Sequence, residues 1–303
     1  MTEPRLGPGS LAAALGLGVV LPLGWLLAHL PARLGLWVGR RLGDGAWWLL
    51  PRRRSLTCDN LARAFGGERS PREIRRVARQ SFEHLGMNLI EVCVLLFRPT
   101  TAMLSRLELT GHEHLEQAAA EGKGILLLSA HLGNWELLGL SHALSDFELS
   151  MVIRPLDDPW LDWLAARFRR RTGVELIAKR RALRGIVDAL RCGRMVGVLL
   201  DQNASRAEGV FAPLFRVPAS TSKALAVISL RTGAPVVPVF IRRVGGTRHR
   251  VEVGAALPVP RDGDVVGYTA TFNRAIEAAI RRAPEQWFWM HERWRTRPPA
   301  AKP

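Results

Sequence analysis

The sequence predicts an α/β fold in which a mostly parallel, mixed sheet is covered by helices. The first observation behind this prediction is that short apolar runs alternate with amphipathic segments along the chain. The apolar runs lie at 124–130, 148–155, 174–179, 194–202, 236–243 and 249–255, and the amphipathic segments at 134–143, 159–171, 181–191 and 220–232. The second is composition: the 303 residues are 48% hydrophobic and 23% charged, which suits a packed core and excludes disorder.

The N-terminal segment differs from the rest because it is almost free of charge. Between Leu6 and Ala32 there is no Asp, Glu, Lys or Arg. The run SLAAALGLGVVLPLGWLLAHL is long enough to cross the roughly 30 Å hydrocarbon layer as a helix. We therefore expect a transmembrane helix here. A cleavable signal peptide is the alternative, which the length disfavours because signal-peptide cores have roughly 7 to 15 apolar residues.

A basic segment follows this apolar run. Its arginines are Arg33, Arg40, Arg41, Arg52, Arg53 and Arg54. The positive-inside tendency places this flank in the cytoplasm, and its mixture of tryptophans and cations is typical of a helix lying on an anionic bilayer. A soluble core helix with a basic edge is the alternative. Residues 1–54 are thus expected to form a membrane anchor with a basic interfacial segment, 55–297 a globular domain and 298–303 a disordered tail.

The first part of the globular domain is predicted to be helical. Residues 55–97 carry apolar side chains at helical spacing, and Ser70 followed by Pro71 predicts a helix start. The net charge of +16 calls for an anionic partner, which could be a membrane surface, an acidic protein, a phosphorylated substrate or nucleic acid. The arginines are dispersed without a nucleic-acid-binding signature, so a basic nucleic-acid-binding membrane protein is only a remote alternative.

The cysteines and histidines give no sign of a metal site. Cys58, Cys93 and Cys192 are far apart and odd in number, so neither a zinc cluster nor a disulfide framework is predicted. His112 and His114 more plausibly flank a helix than bind zinc. We expect no metal and no cofactor, and a reducing compartment.

The candidate catalytic and binding residues are those that directly follow the apolar runs, because ligands bind beyond the carboxyl ends of parallel strands. His131, Arg154 and Asp201 are the residues at such ends. Glu136 follows His131 by five positions, and this spacing predicts that its carboxylate accepts the Nδ1 proton and makes Nε2 a base for a hydroxyl. A solvated His–Glu pair is the alternative. No G-x-S-x-G elbow is present and no cysteine lies near His131, so direct attack by an activated acceptor is favoured over a covalent acyl-enzyme.

Several blocks of the sequence resemble the bacterial late lipid A acyltransferases, the lauroyl and myristoyl transferases that acylate Kdo-linked lipid A precursors. The blocks are GHEHLEQAAAEGKGILLLSAHLGNWELLG, RPLDDPWLDWLAARFRRRTGVELIAK, GVLLDQNASRAEGVFAPLFRVPASTSKALAVISLRTGAPVVPVF and PEQWFWMHERWRTRP. The resemblance implies a glycerolipid acyltransferase-like fold with 55–297 as the acyltransferase domain. It also implies His131 as the general base and Glu136 as its acidic partner.

The same resemblance implies a set of substrate-binding residues. These are Asn134 in the His131 block, Arg154, Arg169 with Gly173, and Asp201 with Gln202. A surface salt bridge is the alternative for the arginines, and a loop cap for Asp201. Trp287, Trp289 and Trp294 are expected to pack or to touch lipid rather than to act in catalysis.

The implied activity is transfer of a fatty acyl chain from acyl carrier protein, or acyl-CoA, to a hydroxyl of a lipid A precursor. The implied location is the cytoplasmic face of the bacterial inner membrane. The chain has DQN at 201–203 where this family often has DQD, and FRV at 215–217 where FG-x is common. Another glycolipid or phospholipid therefore stays open as the acceptor.

Overall fold

The computed structural model describes residues 8–153, 158–178 and 182–299. The helices in this part of the chain are α1 (Pro8–Ala28), α2 (Ala32–Leu49), α3 (Pro51–Phe65), α4 (Pro71–Phe97), α5 (Thr101–Leu104), α6 (His112–Ala119), α7 (Leu138–Ser141), α8 (Pro159–Arg170), α9 (Ala182–Arg191), α10 (Ala224–Thr232) and α11 (Val265–Arg282). The strands are β1 (Leu107–Thr110), β2 (Ile125–Ser129), β3 (Leu149–Ile153), β4 (Glu175–Ala178), β5 (Met195–Leu199), β6 (Gly209–Leu214), β7 (Val217–Ser222), β8 (Val236–Gly245) and β9 (Arg248–Val253).

Seven of the described strands form one sheet in the order β1-β9-β8-β2-β5-β3-β4. Neighbouring strands are parallel except for the antiparallel pair β8 and β9. Strands β6 and β7 form a separate antiparallel hairpin. The predicted α/β fold with a mostly parallel, mixed sheet is confirmed.

Helices cover both faces of the sheet, and the alternation of side chains along β2 shows how the core divides. Leu126 and Leu128 belong to a buried cluster with α3, α4, α9, α10 and α11, whereas Ile125 and Leu127 belong to a second cluster with α6 and α7. A strand that is buried on both faces reads as a continuous apolar run. This is why the first four residues of β2, ILLL, are all apolar.

The segment 55–97 is helical, as predicted: it lies in α3 and α4, and α4 begins at the predicted start, Ser70 followed by Pro71. Ser70 caps α4, with its Oγ accepting from the Glu73 backbone N–H and the Glu73 carboxylate accepting from the Ser70 N–H at 2.9 Å. Helix α2 packs on α4 through glycines, because a Cβ on Gly86 would lie 2.0 Å from the carbonyl oxygen of Gly39. The two helices approach closely enough that only hydrogen fits between their backbones.

Two predicted helical segments differ in the structure. The segment 134–143 is divided into a 3-10 turn at Trp135–Leu137, the single turn of α7 and a second 3-10 turn at His142–Leu144. The segment 220–232 begins as the end of β7, and its helix starts only at Ala224. In both cases pairing or packing with distant residues replaces the local helical preference.

The predicted transmembrane helix finds no support: in the described part of the chain, none of the helices combines the length and the apolar character that crossing a bilayer requires. The described side chains of α1 nevertheless include exposed apolar residues, among them Val19, Leu23 and Trp25.

Candidate active site

His131 and Asp201 lie side by side at the carboxyl edge of the sheet. Strands β2 and β5 are parallel neighbours in which Ser129 is opposite Leu199. His131 and Asp201 each follow that pair by two residues. The register therefore brings the two side chains together at the edge where parallel sheets bind their ligands.

Asp201 holds the imidazole of His131 in one orientation. Nδ1 of His131 donates to Oδ1 of Asp201 at 2.8 Å, and the His131 backbone N–H donates to Oδ2 at 3.0 Å. The indole Nε1 of Trp287 donates to the same Oδ2 at 2.7 Å. Because the carboxylate fixes the proton on Nδ1, the lone pair of Nε2 is left as the basic site.

The two groups shift each other's pKa in opposite directions. Burial raises the pKa of the Asp201 carboxyl, but the charge of His131 and the hydrogen bonds from His131 and Trp287 outweigh it and hold that pKa at about 2. Burial lowers the pKa of His131, and Asp201, with a smaller contribution from Glu136, more than compensates. The net pKa of His131 lies above its ordinary 6.5, so its Nε2 is a stronger base than free imidazole.

The predicted contact between Glu136 and Nδ1 of His131 is wrong, because Asp201 occupies that position. Glu136 lies in the 3-10 turn after the histidine and binds Arg169 instead. The Arg169 guanidinium donates from Nε to Oε2 at 3.1 Å and from Nη2 to Oε1 at 2.8 Å. Glu136 thus orients Arg169 and affects His131 only through its charge.

A cavity of about 980 Å³ opens beside this group. His131, Glu136, Arg169 and Gln202 contribute polar parts of its wall. Much of the remaining lining is aliphatic and includes Leu115, Leu127, Leu138, Leu149, Met151 and Val239. A cavity of this volume and lining can hold a long hydrocarbon chain with its polar end at His131.

Asp201 and Gln202 were both predicted to bind substrate, and the structure separates them. Asp201 is buried, its carboxylate is engaged by His131 and Trp287, and it does not line the cavity, so its observed contacts orient His131. Gln202 lines the cavity, and its Nε2 lies 3.4 Å from Nε2 of His131. The amide of Gln202 therefore covers the basic lone pair at the position a substrate hydroxyl would take.

Asn134, which was predicted to bind substrate, is not among the described residues that line the cavity. It is buried, and its Nδ2 donates to Oε2 of Glu91 at 2.8 Å. Glu91 also accepts from both terminal nitrogens of Arg243, at 2.6 and 2.8 Å, and lies 2.9 Å from Nε2 of His249. Asn134 therefore anchors the catalytic loop to a buried ionic cluster.

Two other predicted substrate-binding residues are Gly173, which lies in a turn, and Arg154. Gly173 adopts a left-handed conformation, with φ at 86°, in the turn between α8 and β4. A Cβ at Gly173 would lie 3.1 Å from Nε2 of His142, so the residue serves the turn and its contact rather than the cavity wall. Arg154 lies outside the described residues.

Comparison with known proteins assigns the family. The model of the bacterial lipid A biosynthesis acyltransferase family matches residues 12–296. The chain belongs to this family. It is 32% identical over 287 residues to a lipid A biosynthesis lauroyltransferase of Escherichia coli, covering 94% of this chain and 91% of the relative. It is 31% identical over 286 residues to a lipid A biosynthesis palmitoleoyltransferase of the same organism, covering 93% and 90%.

A solved structure also resembles this acyltransferase. The 1-acyl-sn-glycerophosphate acyltransferase PlsC from Thermotoga maritima aligns with 78% of this chain and 98% of its own, at 15% identity and a TM-score of 0.38.

Sequence reasoning missed two residues that organise the candidate active site. Trp287 was expected to pack or touch lipid; like Trp289 and Trp294 it is buried, but its indole also binds Asp201. Glu91, in α4, carries no local motif that marks it as the centre of an ionic cluster. Glu91 contacts Asn134, 43 positions away, and Trp287 contacts Asp201, 86 positions away. No spacing rule within one segment could reveal those contacts.

Proposed function

We propose that this acyltransferase transfers a fatty acyl chain from an acyl thioester, acyl carrier protein in preference to acyl-CoA, to a hydroxyl of a lipid A precursor. The observation that carries the proposal is the His131–Asp201 pair at the wall of a largely apolar cavity of about 980 Å³. A lipid chain that lies in this cavity would have its reactive end beside a base. The lauroyl and palmitoleoyl groups named for its relatives support a fatty acyl donor.

His131 would act first as the base and then as the acid. Nε2 takes the proton of the acceptor hydroxyl while the hydroxyl oxygen attacks the thioester carbonyl carbon, and Gln202 gives up its position over the lone pair. The carbon–sulfur bond then breaks, and the leaving thiolate takes the proton from the imidazolium. Asp201 stabilises the imidazolium between the two steps. The acceptor attacks directly, so no acyl-enzyme forms.

Arg169 supplies a fixed cation for the same reaction. Its bidentate pairing with Glu136 holds the guanidinium at the cavity wall, where both side chains keep about a fifth of their surface exposed. Charge-assisted contacts in a partly dry cleft are stronger than those in water. Arg169 would therefore bind a substrate phosphate or the developing oxyanion.

The enzyme would work on the cytoplasmic face of the bacterial inner membrane, with α1 and α2 lying on the bilayer. Exposed apolar side chains on α2 include Leu34, Trp37 and Trp48, while Arg40 and Arg41 are exposed on the same helix. Tryptophans beside cations favour an anionic lipid surface. The net charge of +16 also suits an acidic carrier protein and a phosphorylated acceptor.

The test is mass spectrometry of lipids after acyl transfer. Membranes containing the wild type, His131→Ala or His112→Ala would be incubated with a Kdo-lipid A precursor, total phospholipid and mixed acyl carrier protein thioesters, or in parallel with the matching acyl-CoA thioesters. His112 is a matched control because it is partly exposed on α6, where it contacts Glu116 and Phe147 and does not line the cavity. We expect a mass gain on the lipid A species with the wild type and His112→Ala, and none with His131→Ala.

The other outcomes of this experiment change specific parts of the proposal. A histidine-dependent gain on another glycolipid or phospholipid would keep the mechanism and replace the acceptor. A gain only when acyl-CoA is supplied would replace the donor. A gain that survives His131→Ala would overturn the catalytic role of His131.

A further inference from the structure

The central sheet opens between two of its strands at the point where the cavity passes. Strands β3 and β5 pair from Leu149 opposite Met195 to Met151 opposite Gly197, and their pairing ends there. Beyond that pair, β3 stays with β4 and β5 stays with β2. The last three residues of both strands are half-buried, although the strands lie inside the sheet, because they border the cavity.

Gly197 lies at the closed end of this opening, where the pairing of β3 and β5 stops. The backbone conformation at this position does not require a glycine. It is not left-handed, and a Cβ would approach Leu149 Cδ1 at 3.7 Å and Met151 Cγ at 3.8 Å, which is ordinary contact. At Gly124 and Gly133, in contrast, a Cβ would lie 2.6 and 2.3 Å from backbone oxygens. A glycine inside a strand weakens it and often marks close approach of a ligand. The space at Gly197 is therefore left for something that occupies the cavity.

The position of Gly197 relative to His131 gives the length of that occupant. Gly197 is opposite Leu127, which precedes His131 by four residues along β2. At about 3.3 Å per strand residue this distance is about 13 Å. A hydrocarbon chain with bonds of about 1.5 Å and angles near 111° advances about 1.25 Å per carbon, so about ten carbons span it.

We propose that Gly197 is a specificity-determining residue for the length of the acyl chain. This inference rests on the proposed function. The donor chain lies along β5 on the face that carries Leu127 and Met151, reaches Gly197 at about its tenth carbon, and continues past it only because no side chain is present. A side chain at position 197 would then exclude the distal methylenes of longer chains.

The experiment replaces Gly197 with Ala and with Val and compares kcat/KM over saturated donors from octanoyl to stearoyl. The matched control is Val196→Ile, which adds a methylene to the same strand at the preceding residue, on the opposite face, where the side chain packs in the core and does not line the cavity. We expect octanoyl transfer to be retained in the Gly197 variants. Donors longer than decanoyl should lose about fourfold for each methylene that is excluded from the cavity. The Val196→Ile profile should match the wild type.

A second measurement separates this inference from the proposed function. Native mass spectrometry would record binding of free saturated fatty acids of the same lengths to each variant, with thermal melting confirming that each is folded. If the wild type transfers no acyl chain but Gly197→Val still loses the longer fatty acids, the proposed function fails and the role of Gly197 stands. If the Gly197 variants keep the wild-type length profile, or Val196→Ile shifts it equally, the role of Gly197 is overturned.

Discussion

The imidazole of His131 is influenced by two carboxylates that act in different ways. Asp201 makes direct hydrogen bonds and fixes both the tautomer and the orientation of the ring. Glu136 is engaged by Arg169, so its effect on His131 is electrostatic and is partly cancelled by the guanidinium. Substitutions at the two carboxylates should therefore have distinct kinetic signatures.

We expect the wild-type rate to rise with pH through an apparent pKa above 6.5. The neutral form of His131 is the base, and Asp201 raises the pKa at which that form appears. The measurement is kcat/KM for acyl transfer from about pH 5 to pH 9, a range that brackets the ordinary titration of histidine. A rate that is flat across this range would contradict the assignment of His131 as the base.

Asp201→Asn should lower kcat by about 10² to 10⁴ and move the acidic limb of the pH profile to lower pH. The amide loses the charge that raises the pKa of His131 and can no longer hold the Nδ1 tautomer as strongly. Glu136→Gln is the control, and it should act mainly on KM by loosening Arg169. A larger loss of kcat in Glu136→Gln than in Asp201→Asn would restore Glu136 as the partner of the base.

At the scale of elements, the loop after β2 is held by α4 and by β8 and β9. Asn88 of α4 donates to the carbonyl oxygen of Gly133 at 2.7 Å, and Glu91 of the same helix accepts from Asn134 at 2.8 Å. Glu91 also binds Arg243 of β8 and His249 of β9. One helix thus joins the catalytic loop to two strands through a single buried carboxylate.

Glu91→Gln should destabilise the protein by about 3 to 5 kcal/mol, because it leaves the buried Arg243 guanidinium without its anion. Burial raises the pKa of Glu91, but His249 and Arg243 outweigh it and lower that pKa from 4.5 to about 2. This lowered pKa of Glu91 contributes about 3 kcal/mol to the free energy of unfolding above pH 4.5, and the contribution is lost as the pH falls through about 2.

Thermal melting at pH 7 and in acid tests this prediction. The control is Glu68→Gln, which breaks an exposed pair with Arg281 and should change the melting temperature little. The wild type should lose stability on acidification and Glu91→Gln should lose less of it. Equal acid sensitivity in the two proteins would show that the Glu91 cluster does not stabilise the fold.

Six of the seven described strands of the sheet correspond to the runs predicted from sequence, whereas β1, with its alternating sequence LELT, and the hairpin of β6 and β7 were not predicted. Its turn places Phe215 and Arg216 at φ values of 51° and 62°, in the left-handed region where glycine or asparagine is the usual signal. Phe215 is held there by burial against Phe65 and Trp289 and by the Glu277 carboxylate, which accepts from its backbone N–H at 2.7 Å. These contacts come from distant segments and override the local preference.

The candidate site divides in the same way between what sequence could and could not predict. His131 and Asp201 were identifiable because each follows a recognisable strand, but their partnership depends on β2 and β5 being neighbours in register. The spacing of five residues instead favoured Glu136, which is closer to His131 in sequence. Sheet order decides the contact, and a single sequence does not specify sheet order.

On the scale of the whole molecule, the exposed apolar side chains are concentrated at one end of the chain. Val19, Val20, Leu23, Trp25 and Leu26 are exposed on α1, each with at least half of its surface accessible. Contiguous apolar surface of this kind on a folded protein marks a site of membrane or protein contact. The adjoining arginines make an anionic bilayer the partner that we expect.

The double variant Trp37→Ser, Trp48→Ser should bind anionic vesicles at least tenfold more weakly than the wild type. Both indoles lie more than half exposed on α2, and each contributes on the order of 1.5 to 3 kcal/mol when it leaves water for the interface. The measurement is co-sedimentation with vesicles of phosphatidylglycerol and phosphatidylcholine at two salt concentrations. Raising the salt should weaken binding of both proteins, because the arginines act through screened charge.

The control for this prediction is Val259→Ser, Val266→Ser, which removes two apolar side chains that are similarly exposed but lie more than 200 residues away along the chain. If apolar surface at the N-terminal helices carries the interaction, this control should bind vesicles like the wild type. Equal weakening in the two double variants would mean that exposed apolar surface acts without regard to place. The bilayer would then contact no particular face of the protein, and α1 and α2 would have no special role in orienting the cavity toward the lipid.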